Sequence, residues 1–492
     1  MRASGILMPV FSLPSRYGIG SFSKSAYQFV DMLKKAGQKY WQILPLCPTS
    51  YGDSPYQSFS TFAGNPYFID LDTLAEKGWL TKEACEASDY GDNESYIDYG
   101  RIYNSRFVLL KQAFLNSDIL SDEKFTEFCK SNQHWLPDYA LYMALKNQND
   151  GKSWIEWEEE IRLRKPEAVE YYKKELEEEC NFYEFLQYEF HEQWTKVKEY
   201  AHKKGIQIVG DVPIYVAFDS ADTWANPELF QLDEKNLPLG VAGCPPDAFS
   251  ATGQLWGNPL YNWAYHKKTG YDWWLKRIAY CFDLYDIVRI DHFRGFDEYY
   301  SIPYGDETAV NGHWEKGPGM DLFNTVKEKL GELDIIAEDL GFLTESVFQL
   351  LKDSGYPGMK VLQFAFDPSE DSDYLTYKYQ RNCVVYTGTH DNDTTAGWFE
   401  KLSDGDKEVA LRYMNSFYTP KEEQHWDLIA LAMRSTADTC IIPVQDFLGL
   451  GSEARINMPS TLGDNWKWRM TKGAFSEELK EKIRRMTKLY GR

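Results

Sequence analysis

The chain has 492 residues with a formal net charge of −22 at pH 7, and 43% of its residues are hydrophobic. A surface of this sign repels nucleic acid phosphates and anionic membranes, and no long basic cluster offsets it, so we expect neither as a partner. The chain also carries 34 Tyr, 28 Phe and 16 Trp, and aromatic rings beyond those of the core suit neutral, flat ligands such as sugars.

The cysteines indicate the cellular compartment. Eight of them are scattered without a CxxC pair, and several lie in apolar runs such as NCVVYTG and TCIIPV. This pattern is typical of buried thiols in a reducing compartment. The N-terminal segment lacks a signal-type apolar stretch, and no apolar run reaches the roughly 18 residues of a membrane span. We therefore expect a cytoplasmic protein.

Short apolar runs rich in β-branched residues recur along the chain, with amphipathic stretches between them. Continuous apolarity is typical of parallel strands that are covered on both faces. One amphipathic stretch, TESVFQLLKDSG, opens at Thr344 and closes at Gly355, residue types that favour the ends of a helix. In chain order the eight predicted strands are SGILMPV (4–10), YWQILPL (40–46), QIVGDVP (207–213), DIVRIDHF (286–293), DIIAEDLG (334–341), MKVLQFAF (359–366), CVVYTGTH (383–390) and CIIPVQDF (440–447).

Eight β–α alternations predict an α/β fold, a (β/α)8 TIM barrel that extends over residues 1–492. The alternative is a doubly wound sheet, which requires a glycine-rich phosphate-binding turn after an early strand. The GxGxxA match GLGSEA (449–454) follows the last predicted strand instead. It also lacks the acidic residue about 20 positions later that such sites use, so we reject this alternative.

The spacing of the strands is uneven, which predicts insertions in the barrel. Far more residues separate the second and third strands than one crossover helix requires. Because that interval is rich in charged, helix-type sequence, we predict a mainly helical insertion over 47–206. The interval 214–270 is rich in Pro, Gly, Asn and Trp and is predicted to be an ordered, loop-rich insertion.

Charged residues interrupt or end several predicted strands. In IVRIDHFRGF, Arg289 and Asp291 share one face of the strand, whereas His292 lies on the other and is predicted to be structural. The C-terminal ends of barrel strands carry the chemistry of this fold. Carboxylates end five of the eight runs: Asp211, Asp291, Glu338 with Asp339, Asp391, and Asp446.

Clustered carboxylates suit divalent-metal chemistry, glycoside chemistry, or a non-catalytic carbohydrate-binding barrel. Arg289 argues against a metal, because it places a fixed cation where the ion would bind. We expect Arg289 to lower the pKa of Asp291, which keeps this carboxylate ionised as a nucleophile requires. Burial and neighbouring carboxylates are expected to raise the pKa of Glu338, as a general acid near neutral pH requires.

Several long motifs in fixed order resemble one known family. They are GILMPVFSLPSRYGIGSFS, YWQILPLCPTSYGDSPYQSFSTFAGNPYFIDL (40–71), GDVPIYVAFDSADTW (210–224), GCPPDAFSATGQLWGNPLYNW (243–263), IVRIDHFRGF, IIAEDLG and YTGTHDNDT. The chain is similar over nearly its whole length to the 4-α-glucanotransferases, the amylomaltase or disproportionating-enzyme family (glycoside hydrolase family 77), which is related to the α-amylase clan. The helical interval resembles the family least.

The resemblance implies a retaining double displacement on α-1,4-glucans through a covalent glucosyl-enzyme. Asp291 would be the nucleophile, Glu338 the acid/base, and Asp391 a third carboxylate that binds and helps to distort the sugar ring. Retention requires the carboxyl groups of Asp291 and Glu338 to lie about 5–5.5 Å apart. Three further side chains are implied to contact the same sugar: Arg289, His390 and Asp211.

The resemblance also implies an acceptor side and a lid. Tyr56 would stack on a sugar face with Ser54 nearby, and the segment 214–270 would form a lid over the site. The loop from Gly243 to Asn258 would contribute Asp247, Gln254 and Trp256, and its Gly and Pro residues suit hinge points. Near the mouth we also expect Arg455 and Asn465.

Neither a cofactor nor a metal is expected, and the expected partners are maltooligosaccharides and larger α-glucans. Transfer and hydrolysis share one covalent intermediate and differ in whether a sugar hydroxyl or water attacks it. The residues alone reach a retaining glycosidase-type barrel, and the preference for transfer comes from the resemblance. A retaining α-glucan hydrolase is the first alternative and a non-catalytic carbohydrate-binding barrel the second.

Overall fold

The computed structural model describes residues 2–50, 52–246, 250–341, 343–367 and 371–492. Within these ranges the chain forms twelve strands: β1 (Ala3–Leu7), β2 (Tyr40–Gln42), β3 (Gln207–Pro213), β4 (Gly240–Cys244), β5 (Gln254–Pro259), β6 (Ile287–Asp291), β7 (Glu298–Pro303), β8 (His313–Lys316), β9 (Ile335–Ala337), β10 (Gly358–Val361), β11 (Cys383–Tyr386) and β12 (Thr439–Pro443).

Eight of these strands form one parallel sheet in the order β10-β11-β12-β1-β2-β3-β6-β9. The two ends of this sheet meet, since the Ala337 N–H in β9 donates to the Pro357 carbonyl just before β10 at 3.0 Å. The strands therefore follow one another round a closed barrel in chain order, and the predicted (β/α)8 barrel is confirmed.

Each predicted run overlaps one barrel strand, but several strands are shorter than their runs. The run 334–341 forms only the three-residue strand β9, because the chain leaves the sheet where Glu338 and Asp339 begin. The predicted helix after Thr344 is confirmed as Glu345–Ser354, and it ends at Gly355 in the left-handed conformation (φ 72°). That conformation is accessible to glycine without steric cost.

The structure also contains a second sheet that the sequence did not predict. It is antiparallel, with the order β5-β4-β7-β8. In the sequence, β4 and β5 precede β6, and β7 and β8 follow it. The strands β4 (GVAGC) and β5 (QLWGNP) fall inside the interval 214–270. Glycine, asparagine and proline are depleted in strands, which is why these residues predict a loop instead.

Helices cover the barrel, and those between β2 and β3 form a separate group. Before β2 lies α1 (Lys24–Lys35), whose Ser23 side chain accepts from the Ser25 N–H and whose apolar face is buried. Between β2 and β3 the described residues form α2 (Leu71–Glu76), α3 (Lys82–Ala87), α4 (Tyr99–Asn116), α5 (Glu123–Ser131), α6 (Leu136–Gln148), α7 (Glu159–Arg162), α8 (Pro166–Glu175) and α9 (Glu177–Lys204).

The remaining described helices follow β3 and alternate with the later barrel strands. They are α10 (Ala221–Ala225), α11 (Trp263–Lys268), α12 (Asp272–Leu284), α13 (Met320–Leu330), α14 (Glu345–Ser354), α15 (Thr395–Lys401), α16 (Asp404–Met414), α17 (Gln424–Arg434), α18 (Val444–Leu448) and α19 (Glu477–Leu489). Among the helices in the described ranges, none combines the length and apolarity needed to cross a bilayer.

Candidate active site

The C-terminal end of β6 holds an arginine and an aspartate in direct contact. Arg289 is buried, and its Nη1 and Nη2 both donate to Oδ1 of Asp291, at 2.8 and 3.0 Å. In the register between β3 and β6, Asp211 lies opposite Arg289, and its Oδ1 accepts from the same Nη1 at 3.2 Å. The guanidinium thus lies between two carboxylates, which is the position that a bound cation would take.

Tyr56 extends this group towards β11. Its hydroxyl donates to Oδ2 of Asp211 at 2.7 Å. Its ring stacks on His390, with centroids 5.1 Å apart and an interplanar angle of 14°. Ser54 stabilises the turn that carries this tyrosine, because its Oγ accepts from the Tyr56 N–H at 3.2 Å. The sequence-predicted Tyr56, Asp211, Arg289 and His390 are therefore neighbours.

Glu338 directly follows β9 and is held by the backbone on two sides. Its Oε2 accepts from the His292 N–H at 2.6 Å, and its Oε1 accepts from the Leu340 N–H at 3.0 Å. The first bond requires an unusual backbone, since His292 has φ 52° and ψ 49°. This left-handed conformation costs a non-glycine residue about 1–3 kcal/mol, and such strain concentrates at functional sites.

The His292 side chain is half-buried, and its ring lies edge-on to Trp256 at a centroid distance of 4.8 Å. Burial lowers the pKa of this imidazole to about 3, so the ring is neutral at physiological pH. Its role in the site is therefore through packing and through its backbone N–H.

Burial dominates the electrostatics of the Glu338 and Asp291 carboxyl groups. Desolvation raises the pKa of Glu338, although Arg289 and the two backbone N–H groups oppose it. Desolvation also raises the pKa of Asp291 well above its ordinary value, with further increases from Glu338, Asp211 and Asp391. Arg289 lowers the pKa of Asp291, as expected from the sequence, but the net shift of this pKa is upward. Arg289 does favour the charged form, but loss of water and the neighbouring carboxylates outweigh it.

The third predicted carboxylate, Asp391, lies in the segment that follows β11. Its Oδ1 accepts from Asn457 Nδ2 at 2.6 Å, and its Oδ2 lies 3.3 Å from Nε2 of His390. Arg455 Nη2 donates to the Asp391 carbonyl at 2.6 Å. Asn465, also predicted near the mouth, instead uses its Oδ1 to accept the Met458 N–H within its own loop.

Asn457 is a candidate site residue that the sequence did not indicate. Its side chain donates to the Asp391 carboxylate from the loop after the short 3-10 helix Ser452–Ala454, which is far along the chain from β11. The segment RINMPS shows no periodicity or charge that distinguishes this asparagine. Arg455, two positions earlier, is the one nearby residue that the sequence placed at the mouth. Arg455 and Asn457 both donate to Asp391.

Two of the carboxylates predicted at the barrel mouth have other partners. Asp339 is buried, and its Oδ1 accepts from the Met359 N–H at 2.6 Å, which joins the end of β9 to β10. Asp446 is buried after β12 and accepts from the Thr387 hydroxyl at 2.5 Å and from the Thr395 N–H and hydroxyl, both at 2.7 Å. Convergence of all these carboxylates on one mouth is therefore wrong for Asp339 and Asp446, because the chain's own donors bind them.

The predicted acceptor-side residues divide between two regions. Gln254 and Trp256 lie on β5, where Trp256 Nε1 donates to Oε1 of Gln254 at 3.1 Å. Contact between Trp256 and His292 joins this strand to the end of β6. The predicted Asp247 lies outside the described residues. In the described part of the chain, no group of three or more His, Cys, Asp or Glu side chains has the arrangement of a metal site.

Comparisons with known proteins identify the family of this chain. The family model described as 4-alpha-glucanotransferase matches residues 8–475. The chain belongs to this family. It is 55% identical over 487 residues to the 4-alpha-glucanotransferase of Clostridium butyricum, which covers 99% of this chain and 100% of that protein. It is 46% identical over 494 residues to the 4-alpha-glucanotransferase of Thermus thermophilus, covering 99% of this chain and 98% of that protein.

Solved structures of amylomaltases have the same fold as this member of the 4-alpha-glucanotransferase family. The amylomaltase of Streptococcus agalactiae in complex with acarbose superposes with a TM-score of 0.97 at 43% identity, with all of both chains covered. The amylomaltase of Corynebacterium glutamicum superposes with a TM-score of 0.80 at 18% identity, covering 99% of this chain and 75% of that chain. Because the identity is only 18%, the second match supports the fold alone.

Proposed function

We propose that the chain transfers α-1,4-glucan segments from a donor to the 4-hydroxyl of an acceptor glucan or glucose, through a retaining double displacement. The single observation that carries the mechanism is the contact between Arg289 and Asp291. Both guanidinium bonds go to Oδ1, whereas Oδ2 has no hydrogen-bond donor among the described residues. One oxygen is thus fixed and the other is left to attack.

In the first step, Oδ2 of Asp291 attacks the anomeric carbon as the bond from that carbon to the glycosidic oxygen breaks. Glu338 donates its proton to the departing oxygen, and the reducing-end segment leaves as a neutral alcohol. The two backbone N–H groups that Glu338 accepts hold its carboxyl group in place through both steps. Arg289 stabilises the charged Asp291 before the attack, and afterwards it keeps Asp211 as its ion-pair partner.

In the second step, Glu338 is ionised and accepts the proton of the acceptor 4-hydroxyl. The acceptor oxygen attacks the anomeric carbon and releases Oδ2 of Asp291, so two inversions give net retention. Glu338 must therefore exist in both protonation states near neutral pH. The balance between burial, which raises its pKa, and the two N–H donors, which favour the anion, suits this alternation.

The surrounding polar side chains are proposed to bind the sugar next to the broken bond. Asp391 and His390 would contact its hydroxyls, and Asn457 would keep the Asp391 carboxylate oriented. Asp211 would contact the same sugar, with Tyr56 stacking on its face from the loop side. Asp211 lies on β3, and the other four residues lie in three separate loops, so one bound sugar would join separate parts of the barrel.

The acceptor side and the domain organisation are part of the same proposal. Gln254 and Trp256 on β5 would contact the acceptor, together with Ser54 and Asp247. The whole chain, 1–492, would be one catalytic unit in which 47–206 is a helical insertion and 214–270 is a lid. Lid closure would exclude water and orient the acceptor hydroxyl, which is what transfer requires over hydrolysis.

The substrates proposed are maltooligosaccharides and larger α-glucans, and neither a cofactor nor a metal takes part in the mechanism. We propose a cytoplasmic location, since no disulfide bond joins the cysteines of the described residues and reduced thiols are typical of reducing compartments.

Incubation with maltotriose tests the proposed function. A ladder of longer glucans together with glucose is the expected result. Maltose and glucose without longer products would indicate a hydrolase, and saturable binding without turnover would indicate a non-catalytic barrel. Activity that is lost in EDTA and restored by a divalent ion would contradict the metal-free mechanism.

A further inference from the structure

Two buried side chains near the candidate active site each leave one polar atom without a hydrogen-bond partner in the described part of the chain. The atoms are Nδ1 of His390 and Oε1 of Gln445, which is the second residue of α18. Each residue is only 3% exposed, so bulk water does not reach these atoms. Buried polar atoms in proteins are nearly always hydrogen-bonded, either to protein groups or to ordered water. The two atoms therefore indicate a further bonding partner.

His390 and Gln445 border the same small cavity. It has a volume of about 10 Å³. Leu7 and Pro443, at the ends of β1 and β12, border it together with residues of the segment that follows β11. A space of this volume is about one water-sized sphere, which is the least that holds a single water molecule. The cavity therefore has room for one water and for no larger ligand.

The Gln445 side chain can only accept a hydrogen bond at its second amide atom. Its Nε2 donates to the Ala454 carbonyl at 3.2 Å, which fixes the orientation of the amide and leaves Oε1 as the atom without a partner. An amide oxygen accepts hydrogen bonds and cannot donate them. Oε1 of Gln445 therefore requires a donor.

The His390 side chain also presents an acceptor. Desolvation lowers the pKa of this histidine, so its ring is neutral at pH 7 and carries one N–H. Its Nε2 lies 3.3 Å from Oδ2 of Asp391. Because a carboxylate accepts hydrogen bonds, the proton belongs on Nε2, which leaves Nδ1 as an acceptor.

Two acceptors that border one cavity cannot bond to each other, whereas a molecule with two O–H donors can bond to both. We propose that the cavity binds one structural water, which donates one hydrogen to Nδ1 of His390 and the other to Oε1 of Gln445. Gln445 is then a positioning residue that acts on His390 through this water. Its effect on the sugar rests on the proposed function, whereas the water site itself does not.

The water would fix the one edge of the His390 ring that the other contacts leave free. Tyr56 stacks on the face of the ring, at a centroid distance of 5.1 Å, and Asp391 lies beside Nε2. A half-turn of the ring about its Cβ–Cγ bond would place a carbon beside Asp391 instead of Nε2. A hydrogen bond at Nδ1 opposes that turn, so the Nε2–H stays directed towards Asp391 and the bound sugar.

A crystal structure of the full chain, at a resolution that shows ordered waters, tests the site directly. We expect one water at hydrogen-bond distance, about 2.7–3.2 Å, from both His390 Nδ1 and Gln445 Oε1. An empty cavity would overturn the inference, and so would a water that contacts only one of the two atoms.

NMR of the full chain labelled with ¹⁵N-histidine tests the proton position without any need for activity. The ring signals of His390 are assigned by their loss in His390→Phe. At pH 7 we expect a protonated Nε2 and an unprotonated Nδ1. A proton on Nδ1 would contradict the argument from two acceptors, because the histidine would then be a donor towards the cavity.

Gln445→Leu tests the positioning role, since leucine has a similar size and no acceptor. The donor is α-glucosyl fluoride, whose reactive leaving group keeps slow variants measurable. We expect kcat/KM to fall about 10-fold, as a misplaced binding group causes. In a double-mutant cycle, the loss should vanish when His390 is already replaced by Phe and should persist in a Trp256→Phe background.

Gln424→Leu is the matched control. Gln424 is also buried, its Oε1 also has no partner among the described residues, and it begins α17 without bordering the cavity. This variant should leave kcat/KM unchanged. If the loss from Gln445→Leu is the same in the His390→Phe and Trp256→Phe backgrounds, Gln445 does not act through His390 and its positioning role is refuted. Failure of the chain to transfer glucan would refute the proposed function, while the crystal structure and the NMR signals still decide the water site.

Discussion

The ends of β6 and β12 both place an aspartate at the C-terminal side of the barrel, yet the two carboxylates have opposite surroundings. The side chain of Asp291 is 28% exposed, and its single strong partner is the charged Arg289. Asp446 is 1% exposed and accepts three hydrogen bonds from the backbone and hydroxyls of Thr387 and Thr395. One carboxylate is left available to a substrate, and the other is fully used by the chain.

This difference shows what a strand-end position does and does not specify. The barrel brings both aspartates to the same end, but the local donors decide whether a carboxylate can react. Asp446 binds both ends of the segment 387–395, which includes His390 and Asp391. It therefore acts on the site through backbone placement, whereas Asp291 acts on the sugar itself. The predictions below separate these two kinds of effect.

The largest effect is expected for Asp291→Asn. The amide cannot form the covalent intermediate, so kcat with maltotriose should fall about 10³-fold or more. Product analysis over long incubations measures this loss, and Tyr304→Phe, an exposed position away from the site, serves as a control. A variant that keeps nearly the parental rate would refute the assignment of Asp291 as the nucleophile.

Glu338→Gln should fall next in the order, with a loss of about 10²–10⁴-fold on maltotriose, as is typical when a general acid is removed. The first step should recover with α-glucosyl fluoride as donor, since fluoride leaves without a proton. Comparison of the two donors therefore isolates the acid role. An equal loss with both donors would indicate that Glu338 supports the site in another way.

Asp446→Asn tests the other half of the comparison. The amide keeps the shape but cannot accept all three bonds, and hydrogen bonds to charged groups contribute about 1.5–3 kcal/mol each. We expect a lower free energy of unfolding and a fall in kcat of about 10-fold, because the segment with His390 and Asp391 loses its anchor. Urea unfolding and steady-state kinetics measure the two effects.

A pure stability loss with unchanged kcat would contradict this role for Asp446. Asp339→Asn is the matched comparison, since Asp339 also binds the backbone, but on β10 rather than on the segment with Asp391. If both variants reduce kcat equally, the effect is a general weakening of the barrel.

The barrel could be predicted from the sequence for a physical reason, and so could the closeness of Asp211, Glu338 and Asp391 to Asp291. Continuous apolar runs and their spacing are local patterns, and the fold converts strand ends into one site. What the sequence missed depends on long-range contacts. The partners of Asp446 and Asn457 lie tens of residues away, and the antiparallel sheet with β4 and β5 forms from glycine-rich segments that are stabilised only by their neighbours.

The net upward shift of the Asp291 pKa was missed for the same reason. The pattern Arg-x-Asp shows the attractive partner, which is two residues away, but not the burial or the carboxylates of Asp211, Glu338 and Asp391 that other elements supply. Electrostatics in a closed site is a sum over the whole barrel mouth. A single strand shows only one contribution to it.

The smallest expected effect is on stability, and it follows from the upward pKa shift of Asp291. Because burial raises the pKa of Asp291, the folded state binds its proton more tightly than the unfolded state does. Its contribution to stability is therefore present below the ordinary pKa of about 4 and is lost as pH rises towards the folded pKa. Asp291→Asn removes this dependence, while Arg289 keeps Asp211 as a partner.

We therefore expect Asp291→Asn to be more stable than the parent at neutral pH, by about 1 kcal/mol, as is common when a functional site is relieved of strain. The advantage should shrink as pH falls from 7 towards 5, and parallel urea titrations across this range measure it. Asp446→Asn should lose stability in the same series at pH 7, because its amide cannot accept all three hydrogen bonds. If Asp291→Asn is less stable than the parent at pH 7, the ion pair with Arg289 contributes more to stability than burial of the carboxylate costs. Asp291 would then stabilise the fold as Asp446 does at the end of β12.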